Sequence, residues 1–264
     1  MREAAERLGG LRASLALAGL AGNGDGTRVP LGHVAADACL KGGLRTGALH
    51  EIFSAAPGHE AAATGFAATL ASRLGGNRRL LWVRQDFSGL EFGEISATGF
   101  LEFGIDPSRL LLFRAADVAS GLRAAADALT CAALGAVVIE IPRTPKRLDL
   151  VTSRRLTLAC AQNGVSALLL RFEADPDASA AETRWLVGAG HSSAGNKNNN
   201  NKDWGYPRFD AALTRNRHGT TGHWAMEWNC DRGRFNETAD HRAVVSASAD
   251  RPAAEAANAR QSAA

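Results

Sequence analysis

From residue 49 to residue 172 the chain alternates short, largely apolar runs with longer stretches rich in Ala and Leu, and few folds accept that pattern. The apolar runs lie at 49–53, 80–83, 110–113, 137–141 and 167–170; the stretches between them cover 60–74, 90–103, 118–134 and 148–162. A run of four or five apolar residues with no polar alternation reads as a strand buried on both faces. A helix between successive strands makes them parallel, and right-handed crossovers then distribute the helices over both sides. The pattern therefore predicts an α/β fold with three layers and a mainly parallel sheet, for which 264 residues are enough.

The flanks read differently. Residues 1–41 are expected to form an N-terminal helical arm: an amphipathic helix over 1–21, a Gly22-Asn23-Gly24-Asp25-Gly26 linker, and a short second helix over 30–41. The core is expected over 42–190, with a further strand at 183–187. Residues 191–203 read as a flexible loop around the Asn-rich stretch 195–201. A β-hairpin region is expected over 204–242, with strands at 209–214 and 223–228, followed by a disordered tail over 243–264. Cys39, Cys131, Cys160 and Cys230 form no CxxC pair, which argues against a zinc site; they read as buried thiols of a cytoplasmic protein. No apolar run is long enough to span a bilayer, and the net charge of +3 permits contact with nucleic acid without demanding it.

In a parallel α/β protein, phosphate is held where a strand hands over to a helix through a glycine-bearing loop. Here that place is Ser54-Ala55-Ala56-Pro57-Gly58-His59-Glu60-Ala61-Ala62. A working P-loop needs a Lys for the β/γ-phosphates and a following Ser or Thr for Mg²⁺. The Lys position falls at Glu60 or Ala61, and Thr64 comes too late to supply the hydroxyl. The second half of such a site is an acidic residue ending a buried strand, and Glu140 has that place. Ser54, Gly58, Glu60, Ala61 and Glu140 thus read as the remnant of a nucleotide loop. Glu140 either holds a metal-bound water or serves structure, and the structural reading is preferred. No catalytic residue, metal or cofactor is expected, with ATP and Mg²⁺ kept as the alternative. His50 and His59 beside the loop read as structural, and Asp86 as a loop carboxylate.

Two basic groups stand out. Arg143, Lys146 and Arg147, with Arg154 and Arg155, follow Glu140; they suit phosphate contacts or a solvated helix start. Arg215 and Arg217 lie between two strands whose residues Trp224, Met226 and Trp228 share one face, with Trp204 just upstream. That face suits a core edge or a contact with a partner or DNA.

Gly42-Gly43-Leu44, Gly47, Glu51-Ile52 and the order of elements after them resemble the ATPase core of RecA recombinases over about residues 40–172. A closer resemblance is to the ImuA family of inducible-mutagenesis proteins, described as RecA- and SulA-like. It is carried by Gly47-Ala48-Leu49-His50-Glu51-Ile52, Leu81-Trp82-Val83-Arg84-Gln85-Asp86 and Leu148-Asp149-Leu150 with Ser153-Arg154-Arg155-Leu156. Ala180-Ala181-Glu182-Thr183-Arg184-Trp185 and Gly219-Thr220-Thr221-Gly222-His223-Trp224 add to it. The resemblance implies a RecA-like core and a non-catalytic accessory role in SOS mutagenesis and translesion synthesis. The implied partners are an inactive Y-family-like polymerase homologue, RecA and an error-prone polymerase III α-type subunit. Two rival readings stand beside it: an ATP-dependent DNA-binding ATPase and a SulA-like inhibitor of cell division.

Overall fold

The computed structural model describes residues 27–191 and 205–237. A small lobe opens it: strand β1 (Arg28–Val29), helix α1 (Val34–Cys39) and strand β2 (Leu44–Arg45), with β1 and β2 antiparallel. Gly43 between them has φ +128°, and a Cβ there would lie 2.2 Å from the Val29 carbonyl oxygen, so only glycine lets the two strands close.

The core follows as β3 (Leu49–Ser54), α2 (Glu60–Gly75), β4 (Arg79–Gln85), α3 (Ser88–Phe92), α4 (Ala97–Glu102), β5 (Leu110–Ala115), α5 (Val118–Ala128), β6 (Leu134–Glu140), α6 (Leu150–Asn163), β7 (Ser166–Arg171) and β8 (Thr183–Ala189). The chain closes with β9 (Arg208–Asn216), β10 (Gly222–Asn229) and β11 (Arg234–Glu237). One nine-stranded sheet runs β11-β10-β9-β8-β3-β7-β6-β4-β5. The strands from β8 to β5 are parallel, and β9, β10 and β11 join antiparallel.

The burial pattern explains this division. All seven residues of β6 are buried, and its side chains alternate between two cores. Ala136 and Val138 face α2, whereas Val137 and Ile139 face α5 and α6. That is the three-layer α/β arrangement expected from uninterrupted apolar runs. In β9 only Phe209, Ala211 and Leu213 are buried, at period two, so its other face is solvated.

Several boundaries differ from the sequence reading. The stretch 90–103 is two short helices, because Gly93 at φ +86° ends α3 and Ser96 caps α4 through the Gly99 N–H. The stretch 118–134 stops being helical at Ala128, and Leu134 already belongs to β6. The helix expected over 30–41 is limited to Val34–Cys39. The strands of the hairpin extend the core sheet, since β9 pairs with β8. β11 was not foreseen. Of the four cysteines only Cys160 is buried, and Cys131 is exposed in the turn before β6. The helix over 1–21, the Asn-rich loop, Trp204 and the tail over 243–264 lie outside the described residues.

Candidate functional site

Strands β3, β7, β6 and β4 end side by side at one rim of the sheet, and the residues expected to form a nucleotide loop lie along it. β3 ends at Ser54, half-buried beside Val187 of β8. The loop 55–59 then turns into α2. Gly58 takes φ +90°, a conformation that favours glycine. Its N–H donates to Glu60 Oε2 at 2.9 Å. A backbone N–H at the start of a helix is the kind of donor that binds anions, and here a side-chain carboxylate of the same chain takes it. His59 Nδ1 accepts from the Ala189 N–H at 2.8 Å, tying the loop to the end of β8. Ala61 is exposed in the first turn of α2.

Glu140 ends β6 in a buried cluster. Its Oε1 accepts from Arg84 Nη2 at 2.9 Å and its Oε2 from Trp82 Nε1 at 2.9 Å. Both charged side chains of the pair are 1% exposed. Pairing matters here because an unpartnered charge at that depth costs several kcal/mol. Arg84 Nη2 also donates to the Gly93 carbonyl at 3.0 Å, which anchors the break between α3 and α4. Glu94 stands 3.7 Å from Arg84 Nη1 and is drawn outward by Arg114 at 2.6 Å. Each Glu140 oxygen therefore already has a protein donor. Arg84 and Trp82 were not singled out as site residues from the sequence. The signal was present: Arg84 interrupts an apolar strand, and Val83 pairs with Ile139, which sets Arg84 beside Glu140.

The remaining expected residues scatter. Arg143, at φ +59°, binds Glu91 at 2.8 Å and Glu173 at 3.3 Å, so its charge is met within the chain. Lys146 and Arg147 are exposed on the loop before α6, at the same rim as the nucleotide-loop residues. Arg215 and Arg217 lie at the opposite rim, because β9 runs antiparallel and Asn216 pairs with Thr183 at the start of β8. Arg215 Nη1 donates to the Ser179 carbonyl at 2.8 Å, and desolvation lowers its pKa. Trp228 is fully buried, its Nε1 donating to the Phe103 carbonyl at 2.9 Å, so it offers no contact surface. Trp224 is half-buried against Trp185 and His33. Period-two alternation on β10 placed both rings on the covered face of the sheet. Asp86 is exposed just past β4.

His50 is buried at the far rim. The Arg45 carbonyl, 2.9 Å from Nε2, can only accept, so Nε2 carries the proton and Nδ1 faces the Thr183 hydroxyl at 2.8 Å. Burial lowers its pKa. Among the described residues no group of three or more His, Cys, Asp or Glu is placed to hold a metal ion, and no helix is long and apolar enough to cross a membrane.

The comparisons with known proteins agree with this architecture. No family model matches the chain. Protein ImuA of Caulobacter vibrioides strain NA1000 / CB15N is 30% identical over 224 residues, covering 76% of this chain and 86% of that protein. Protein ImuA of strain ATCC 19089 / CIP 103742 / CB 15 matches over the same extent. The chain belongs to the ImuA family. The crystal structure of the RadB recombinase superposes on this ImuA-family chain with a TM-score of 0.52 at 14% identity, covering 80% of this chain and 99% of RadB. At that identity the likeness shows the fold, a RecA-like α/β core, which the resemblance led one to expect.

Proposed function

We propose that this ImuA-family chain is a non-catalytic accessory of damage-induced (SOS) mutagenesis and translesion DNA synthesis. It acts through contacts with an inactive Y-family-like polymerase homologue and with RecA, in the cytoplasm, rather than by hydrolysing ATP. The observation that carries this reading is the Glu60 carboxylate on the Gly58 N–H, 2.9 Å away. The donor that would meet a phosphate meets an acid of the chain itself, and the loop has no lysine to offset the repulsion. The state of Glu140 supports the same reading. A carboxylate that ends the second half of a nucleotide site must reach a metal-bound water, and this one has both oxygens bound by Arg84 and Trp82. The loop from Ser54 to Ala61 is then a degenerate remnant kept for its packing.

Equilibrium binding of a fluorescent ATP analogue with Mg²⁺, with and without single-stranded DNA, tests this. No saturable binding at millimolar nucleotide is expected. Micromolar binding that weakens in Glu140→Gln would overturn the reading in favour of an ATPase with an unusual loop.

A further inference from the structure

The α2 side of the sheet is not packed all the way to the rim. A half-open cavity of about 270 Å³ lies between α2, the segment from α3 to α4, and the ends of β4 and β6. Its walls are mostly aromatic, with Phe92, Phe100, Phe103 and Phe172 lining it. Protein interiors are packed as densely as organic crystals, so a gap of this size beside four rings forgoes many contacts. Two glycines shape it. A Cβ at Gly65 would stand 2.8 Å from Phe103 Cζ, so glycine lets that ring close on α2. A Cβ at Gly99 would meet only the Ser96 Cβ, at 3.7 Å, so the space there is open. The cavity is separate from the loop that would meet a phosphate. Ser54, Gly58 and Glu60 do not line it, and Thr64, Gly65 and Ala68 reach it from the second and third turns of α2.

The polar end of the cavity is the pair of Arg84 and Glu140, both of which line it. Arg84 Nη2 donates to Glu140 and to the Gly93 carbonyl, but Nε and Nη1 are buried with no acceptor. Glu94 Oε2, at 3.7 Å from Nη1, is beyond hydrogen-bond range and is held by Arg114. Unanswered donors on a buried guanidinium are costly, and an acceptor arriving in the cavity would relieve that cost. Charge limits what can bring one. Glu94 and Glu140 line the cavity together with Arg84, so an anion would meet two acids. A cation would gain little, because both acids already have donors. An uncharged oxygen remains. Volume sets the rest of the ligand: an apolar cavity of about 150 Å³ holds one benzene ring, so this one has room for two fused rings.

We propose that this cavity binds a small uncharged molecule built on a flat, two-ring aromatic system, with one carbonyl-type oxygen that accepts from Arg84 Nη1. The rings pack among the phenylalanines, and the oxygen sits at the β4 end. The site goes beyond the accessory reading and stands independently of it.

The test uses the full chain and 2-acetylnaphthalene, followed by isothermal titration calorimetry. Saturable binding of one molecule per chain is expected. 2-Ethylnaphthalene keeps the shape and lacks the acceptor, and should bind about tenfold more weakly. 2-Naphthoate adds a negative charge and should bind more weakly than the ketone by at least about tenfold. Gly99→Leu places a side chain in the open space and should weaken ketone binding at least about tenfold, with the melting temperature at or above the wild-type value. Thr64→Phe fills the cavity from the α2 wall and serves as the second variant should Gly99→Leu disturb α4. No saturable binding of the ketone, equal binding of the ketone and either control, or binding unchanged in both variants overturns the inference. So does displacement of the ketone by ATP with Mg²⁺, since the cavity then belongs to a nucleotide site. Loss of ketone binding in a chain that binds no ATP removes the cavity site and leaves the accessory reading standing.

Discussion

The two ends of the sheet are built on opposite principles. At the β11 end, Phe235 is fully buried against Trp228 with ring centroids 5.1 Å apart, and its N–H donates to the Leu31 carbonyl at 2.9 Å. The opening lobe thus covers that edge, and the aromatic rings of β9, β10 and β11 gather beneath it around Phe66. At the β5 end Leu111, Leu112 and Phe113 are only partly covered, at 42%, 39% and 41% exposed. One strand inward, among the buried side chains of Leu80, Trp82 and Val83, Arg84 of β4 binds Glu140 of β6. One end is closed by buried aromatic rings, and the other has a buried ion pair one strand in from a partly open outer strand.

Substitutions can break this contrast, and the largest effect is expected at the covered end. Trp228→Ala removes a fully buried ring and its hydrogen bond to Phe103, and should cost roughly 3–5 kcal/mol in urea unfolding. A loss below about 1 kcal/mol would mean that the covered end is not packed as described. At the other end, Arg84→Ala leaves Glu140 buried without its cation and should also cost about 3–5 kcal/mol. Arg84→Met combined with Glu140→Leu should recover most of that loss, because removing both charges removes the desolvation penalty. A double variant as unstable as the single one would show that the cluster is more than a structural clamp.

The pH dependence gives a smaller effect. His50 has its pKa lowered by burial, with Glu182 opposing and Arg45 and Arg28 adding to the shift. Its folded pKa lies below the unfolded value of 6.5, so between the two the unfolded chain binds more protons. The stabilisation is complete above about pH 6.5 and is lost as the pH falls toward the folded pKa, with a slope of at most about 1.4 kcal/mol per pH unit. His50→Asn should remove this part of the slope in pH-dependent unfolding. The smallest effect belongs to the outer strand β5: Leu112→Ser should change stability by no more than about 0.5 kcal/mol. The Ala115 carbonyl accepts from the Asp86 N–H, so alternation turns the amides of Leu112 and Arg114 away from β4. In hydrogen exchange these outward amides should lose protection well before those of β10. Protected amides at Leu112 and Arg114 would place a covering segment on β5 and erase the contrast.

Cysteine chemistry offers one more check on burial. Burial pushes the Cys160 thiol up to about 12, whereas Cys131 is exposed. Thiol reagents at neutral pH should modify Cys131 in the folded chain and reach Cys160 only on unfolding.

Much of this molecule was legible from residue order. The five apolar runs and the strand at 183–187 are the parallel strands, and the alternating runs near 209–214 and 223–228 are antiparallel partners with one wet face. The absence of a lysine from the loop was also visible, though the bond between Glu60 and Gly58 was not, since a side chain reaching back two residues leaves no periodic trace. The two surfaces were harder to read. Trp224 and Trp228, flanked by arginines, suited a core edge or a contact face, and they lie half-buried and buried over the core. The run Leu110-Leu111-Leu112-Phe113 looked like the interior of a sheet, yet it is its partly open outer strand.

The sequence by itself determined the period of each element, the parallel and antiparallel character of the strands, and the absence of a lysine from the loop after β3. These are local properties, set by which faces of a short segment are apolar and by which side chains follow a given strand. Only the tertiary structure decided which strand ends the sheet, that Arg84 meets Glu140, and which aromatic rings are covered. Those outcomes depend on strand order, and strand order arises from packing between residues far apart in the chain, where a buried run and an edge run can carry the same letters.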